Sequence, residues 1–224
     1  MSGRLLHLIL ETPGCNSYEL LKEATMEDSP LPIFYLPREA EVDGKQERHW
    51  ERDKSSQIFE LSLFGEDQAD ECFLFLSHKI DLADQIEATI ELFNQTDNFS
   101  MGRVLFFIHA PLLLEPPEKL IDWVDAGTHF SDAMLFTGRN NENSSCIKTV
   151  QDRYYSMRYP MESFILGKKN TPWARILDPT PRRLSHVFDS GELLDSEELP
   201  ECDRYLEKLP SGIRARIIPN PFSS

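Results

Sequence analysis

Five side chains able to do chemistry stand directly after apolar runs in this chain. Cys15 lies in "TPGCNS", His78 and Lys79 in "LSHKID", His109 in "FFIHAP" and Arg139 in "TGRN". A cysteine beside a histidine can serve as a nucleophile with its base, and one cysteine with two histidines can hold zinc. A hydrolase or transferase built on Cys15, His78 and His109 is therefore one reading. Each residue also has a plainer one. His109, between Ile108 and Ala110-Pro111, can bond a neighbouring loop. Cys15 can be packing, with a thiol pKa somewhat lowered by the helix start beside it. His78 and Lys79 can be a solvated turn, and Arg139 sits in "GRNNENSS", a glycine- and asparagine-rich loop. No G-x-S-x-G elbow supports the catalytic reading.

The stretch "LLHLILETPGCNSYELL" raises a second chemistry, since an apolar run passes through a small polar loop into a helical pattern. Phosphate-binding loops of the form G-x-x-x-x-G-K-[ST] sit at such junctions; their glycines wrap the phosphates, their lysine neutralises charge and their hydroxyl binds magnesium. Here Gly14 remains, with Ser17 three residues on, and the lysine is missing; Lys22 falls inside the expected helix. The motif predicts neither ATP nor GTP turnover and implies no cofactor.

The elements that must position these residues are legible from periodicity. Strand-length apolar runs occupy Leu5–Glu11, Pro32–Leu36, Glu71–His78, Arg103–Ala110 and Asp132–Gly138, with a sixth at Ser163–Lys168 and a possible antiparallel edge at Ile58–Phe64. Several are continuously apolar, as strands buried on both faces are. Between them, Asp81–Gln95 places Leu82, Ile86, Ile90 and Phe93 at helical spacing behind a capping Asp81. "EPPEKLIDWVDAGTHF" carries prolines where a first turn tolerates them, and "SSCIKTVQDRYYSMRY" repeats Ile147, Val150, Tyr154 and Met157. The alternation predicts a three-layer α/β fold: a mainly parallel sheet of five to seven strands, helices on both faces, and the first strand near the centre. Ligands of such sheets bind beyond the carboxyl ends of the strands, which nominates Gly14, Asn16, Ser17, His78, His109 and Arg139 as ligand-binding residues. The helix after "TPGCNS" would offer its free amides there to a small anion.

Order and spacing resemble the SIMIBI branch of P-loop GTPases, especially the CobW-type metallochaperones, over roughly Leu5–Leu177. The positions that carry the resemblance are the Gly14 loop, "FLFLSHKIDLAD", "VLFFIHAPLLL" and "HFSDAMLFTGRNN". Each signature departs from the family. "SHKID" lacks the glycine that would contact a γ-phosphate, Thr137–Asn140 lacks the guanine-reading N-K-x-D, and the cysteine metal motif is absent. The resemblance implies a P-loop NTPase-like fold without its enzyme: a non-catalytic binding or scaffolding partner with a degenerate nucleotide site.

Bulk properties narrow the partners. The net charge of −15 argues against nucleic acid, which attracts a basic face. No apolar stretch approaches the ~20 residues of a membrane span, and no signal-peptide pattern opens the chain. Cys15, Cys72, Cys146 and Cys202 form no C-x-x-C pair, so a reduced, cytoplasmic protein whose partner is another protein is expected. Organisation reads as one α/β domain over 1–188, interrupted by a charged exposed loop at 37–56, and an acidic C-terminal extension over 189–224. The segment 189–207 holds eight acids and one arginine and follows "GKKNTPWARILDPTPRR", with five bases and one aspartate. The two can meet a partner of opposite charge or lie against each other.

Overall fold

In the computed structural model the described residues are 3–28, 30–52, 59–61, 69–167, 171–189, 195–196 and 198–222. The chain runs β1 (Arg4–Glu11), α1 (Ser17–Ala24), β2 (Ile33–Leu36), β3 (Glu47–His49), β4 (Glu51–Arg52), β5 (Phe59–Glu60), β6 (Glu71–Phe75) and α2 (Leu82–Gln95). It continues through β7 (Phe99–His109), α3 (Leu120–Phe130), β8 (Ala133–Thr137), α4 (Ser144–Ser156), β9 (Glu162–Ile165) and the single turn α5 (Trp173–Ile176). Seven strands pair in the order β3-β2-β6-β1-β7-β8-β9, every pair parallel, so β1 lies at the centre as its apolar run predicts.

Alternate residues of the strands feed two cores. Leu6, Leu8 and Leu10 of β1 point to the side covered by α2, α3 and α4, where Ile86, Val124 and Ile147 are buried. Ile9 points to the other side, with Phe73, Phe107 and Leu135, covered by α1 through Leu21, by α5 through Ile176 and by loop residues such as Ala40 and Val42. The layers are three, as expected.

Three expectations need correction. The 37–56 segment is not simply an exposed loop: it contains β3, the sheet edge, and the buried Trp50, whose indole N–H donates to the Phe75 carbonyl at 2.8 Å. The acids and bases of a strand facing water on one side hid it, and Glu47 is buried there because Lys22, Tyr18 and the amides of Asp43 and Gly44 all bond its carboxylate. Residues 53–56 lie outside the described residues. The antiparallel edge at Ile58–Phe64 is instead the short β5, paired with β4 in a ribbon of its own; Ile58 and 62–64 lie outside the described residues. α3 begins at Leu120 after a left-handed Lys119, so the prolines precede the helix rather than sit in its first turn.

The C-terminal extension packs on the domain. Tyr205, Leu206 and Ile218 are buried in the core beneath α3, and Asp203 receives His129 Nε2 at 2.7 Å. The basic segment is largely spoken for: Arg175 and Arg182 pair with Glu162, and Arg183 pairs with Asp132 and Asp189. The Arg183–Asp189 bridge joins the end of the basic run to the start of the acidic one; Lys168, Lys169, 190–194 and 197 are outside the described residues.

Candidate functional site

β1 sends its connection towards β2 on one side of the sheet, whereas β7, its neighbour, sends its own towards β8 on the other. The crevice between their carboxyl ends is a topological switch point, where open α/β sheets bind ligands. Here it is the head of a groove of about 1140 Å³ between α1 on one side and Leu166, Gly167, Thr171 and Trp173 on the other.

The turn after β1 is built by two left-handed residues, Gly14 at φ +91° and Asn16 at φ +53°. Thr12 fixes it to β7, its hydroxyl accepting the His109 amide at 2.8 Å. The His109 ring lies between two glycines: a Cβ on Gly14 would come within 2.9 Å of its Cδ2, and one on Gly138 within 3.1 Å of its Cε1. Its Nδ1 is buried without a hydrogen-bond partner. Gly138 itself is left-handed, and Asn143, fully buried, bonds the Gly138 carbonyl and the Asn140 amide to shape the loop that carries Arg139. The Arg139 guanidinium is exposed, bonded through Nε to the Ser144 hydroxyl at 3.1 Å, and pairs with no carboxylate among the described residues.

Gly14, Asn16, His109 and Arg139 thus converge on one groove, as their places after the strands predict. Ser17 and His78 do not line it. Ser17 is buried and donates its hydroxyl to the Glu11 carboxylate. Burial raises the Glu11 pKa above the usual carboxylate range, and hydrogen bonding from Ser17 and the charge of His78 only partly offset it. His78 lines a separate cavity of about 10 Å³, with Glu11, Ser77, Gln85 and Trp123. Two of its lining residues are held by the C-terminal extension: Asn220 bonds the His78 carbonyl at 2.5 Å, and Phe222 packs edge-on against Trp123.

The setting of Cys15 works against a nucleophilic thiolate. It is buried, and desolvation, with the charge of Glu11 adding to it, pushes the thiol up to about 12, so the thiolate is scarcely populated near neutral pH. The helix start that lowers a cysteine pKa in the sequence reading is outweighed by burial. Among the described residues no group of three or more His, Cys, Asp or Glu is arranged to hold a metal.

Sequence reasoning missed two contributors, Glu11 and Gln85, and placed a third, Thr137, at its strand end without nominating it. Glu11 reads as the polar end of an apolar run. Gln85, on the core face of α2, bonds both the amide and the carbonyl of Ser77 at 2.8 Å and so fixes the loop after β6; a glutamine amid Leu82, Ile86 and Thr89 was the signal. Thr137, 6% exposed, lines the groove, its buried hydroxyl beside the Cys15 thiol. Comparison with known protein families, curated proteins and solved structures finds no match. Among the described residues no helix is long and apolar enough to cross a membrane.

Proposed function

We propose that the chain is a non-catalytic P-loop NTPase-like protein that works as a binding or scaffolding partner of another protein, its nucleotide site taken over by its own side chains. The observation that carries this reading is the Glu11 carboxylate at the start of α1, where it accepts the hydroxyl of Ser17. In a working phosphate loop that helix start receives the phosphate and a lysine balances the charge. Here a carboxylate stands at the helix start and repels any phosphate that approaches. The nearest lysine, Lys22, is bonded to Glu47 at 2.8 Å and to Tyr18 at 2.7 Å, so it cannot substitute. On the next strand the residue matching the γ-phosphate end, Ser77, is bonded to Glu39 and Gln85 instead. Any small anion in the groove would rest on Arg139 rather than on the α1 amides.

Calorimetry with magnesium-GTP and magnesium-ATP, followed by a phosphate-release assay, tests the reading. The expected result is neither binding heat at millimolar nucleotide nor release above a heat-treated control. Turnover that disappears in Ser17→Ala would overturn it.

A further inference from the structure

The groove has a chemical direction. α1 gives it one wall through Asn16, Leu20, Glu23, Ala24 and, in the turn beyond the helix, Glu27. The first four share one helical face, since residues three and four apart lie one above another. That wall is polar at its start, apolar in the middle and acidic at its end. The facing wall offers Leu166 and the half-buried Trp173 opposite the apolar stretch. At the polar end stand Arg139, free of any carboxylate among the described residues, and Thr137. At the acidic end Glu23 and Glu27 are exposed and pair with no base among the described residues, and Met26 beside them is 67% exposed, so the groove runs out into solvent there.

We propose that this groove receives the C-terminal segment of a partner polypeptide, with its terminal carboxylate on Arg139, apolar side chains between Leu20 and Trp173, and a Lys or Arg upstream on Glu23 and Glu27. The proposal rests on the binding-protein reading above and names the partner's chemistry. A guanidinium fork matches a carboxylate in shape and charge, and capture of a chain terminus is a recurrent mode of peptide recognition. Glu23 lies seven positions after Asn16, about 10 Å at 1.5 Å per residue, which about three residues of extended peptide span. With the terminal carboxylate at the end of the groove where Asn16 stands, a base about three positions before the terminus reaches Glu23. The chain's net charge of −15 favours a basic segment over an acidic one. The open acidic end lets the rest of the partner leave the groove, which a closed small-molecule pocket would not allow.

The test uses the full chain and a pool of hexapeptides carrying fluorescein at the amino end, Lys three positions before the terminus, and Leu, Val, Phe or Ala in the last three places. Anisotropy is measured for the free acids, for the C-terminal amides, and for a matched pool with Glu in place of Lys. Free acids should bind, and amidation and Arg139→Ala should each weaken them about tenfold or more, the effect of losing a charge-assisted contact. Glu23→Lys with Glu27→Lys should switch the preference to the Glu pool. All three positions are exposed, and circular dichroism checks that the variants stay folded. Equal binding of acids and amides, no binding by any member of the pool, or displacement of the peptides by inorganic phosphate with no preference between Lys and Glu would each overturn the proposal. None of these outcomes touches the nucleotide experiment, whose result stands or falls separately.

Discussion

The Glu11 carboxylate accepts the Ser17 hydroxyl across the turn that joins the central strand to the first helix. A side chain of the same molecule thereby occupies the helix start, and its raised pKa marks the contact as one that burial makes costly when charged.

Glu11→Gln keeps an oxygen to accept from Ser17 and removes the buried charge. A carboxyl whose pKa is raised on folding costs stability wherever it is ionised, a penalty absent below the unfolded value of 4.5 and fully present above the raised folded value. The variant should therefore be more stable than the parent near pH 7, on the order of 1 kcal/mol, with the gap closing as the pH falls below that window. Urea denaturation across pH reads it; a variant less stable at neutral pH would show that the charged contact is favourable.

Cys15 should resist alkylation. Its thiol is buried and pushed up to about 12, whereas Cys202 is exposed. Iodoacetamide at pH 7.5, followed by mass mapping of native protein, should label Cys202 first and leave Cys15 unmodified until urea unfolds the chain. Rapid labelling of Cys15 in the folded state would restore it as a candidate nucleophile.

Gly14→Ala should destabilise the fold by about 2 kcal/mol, part from the positive φ and part from the His109 ring that the new methyl meets. Gly212→Ala separates the two parts. Gly212 has φ +81° but nothing within 4 Å of its would-be Cβ, so that variant carries the backbone cost alone. Thermal melts giving both the same loss would remove the argument that His109 needs the space.

Asp203 ties the C-terminal extension to α3. Burial works to raise its pKa, but bonds from His129, Tyr205 and Ser185 outweigh that and hold it below the usual range. Its contribution is then present above the unfolded value of 3.8 and lost as the pH falls through the depressed folded value. Asp203→Asn should cost about 1–3 kcal/mol near neutral pH and hasten tryptic cleavage after Arg204, with the difference from the parent shrinking in acid. Unchanged proteolysis would place the anchor in Tyr205 and Ile218 alone.

Much of the frame was legible in the chain because buried parallel strands are written as unbroken apolar runs, and "VLFFIHA" and "DAMLFTG" could hardly be anything else. The gathering of Gly14, Asn16, His109 and Arg139 followed from that frame, since each stands directly after such a run. What escaped was polar and buried at once. β7 begins at Phe99 rather than Arg103, because Ser100, Gly102 and Arg103 look like a loop. Yet Arg103 is fully buried, bonded to Glu162 and to the carbonyls of Arg175, Ile176 and Thr180. Its own N–H donates to His7 Nδ1 at 3.1 Å, and burial together with the Arg103 charge lowers His7 to about 4, which keeps that ring neutral. Such pairings join residues 59 to 96 positions apart, and no local pattern announces them. β3 escaped for the opposite reason, as a sheet edge whose charges suit water.

Because Tyr205, Leu206 and Ile218 complete the core under α3, the fold closes late in the order of synthesis. A ribosome releasing this chain up to about residue 200 holds all seven strands of the sheet outside, yet the faces of Trp123 and Phe130 that meet Phe222 and Tyr205 still lack their cover. That half-built state exposes aromatic surface of the kind chaperones bind. A chain stalled or clipped at that point should aggregate, although nearly every strand and helix in it has been made.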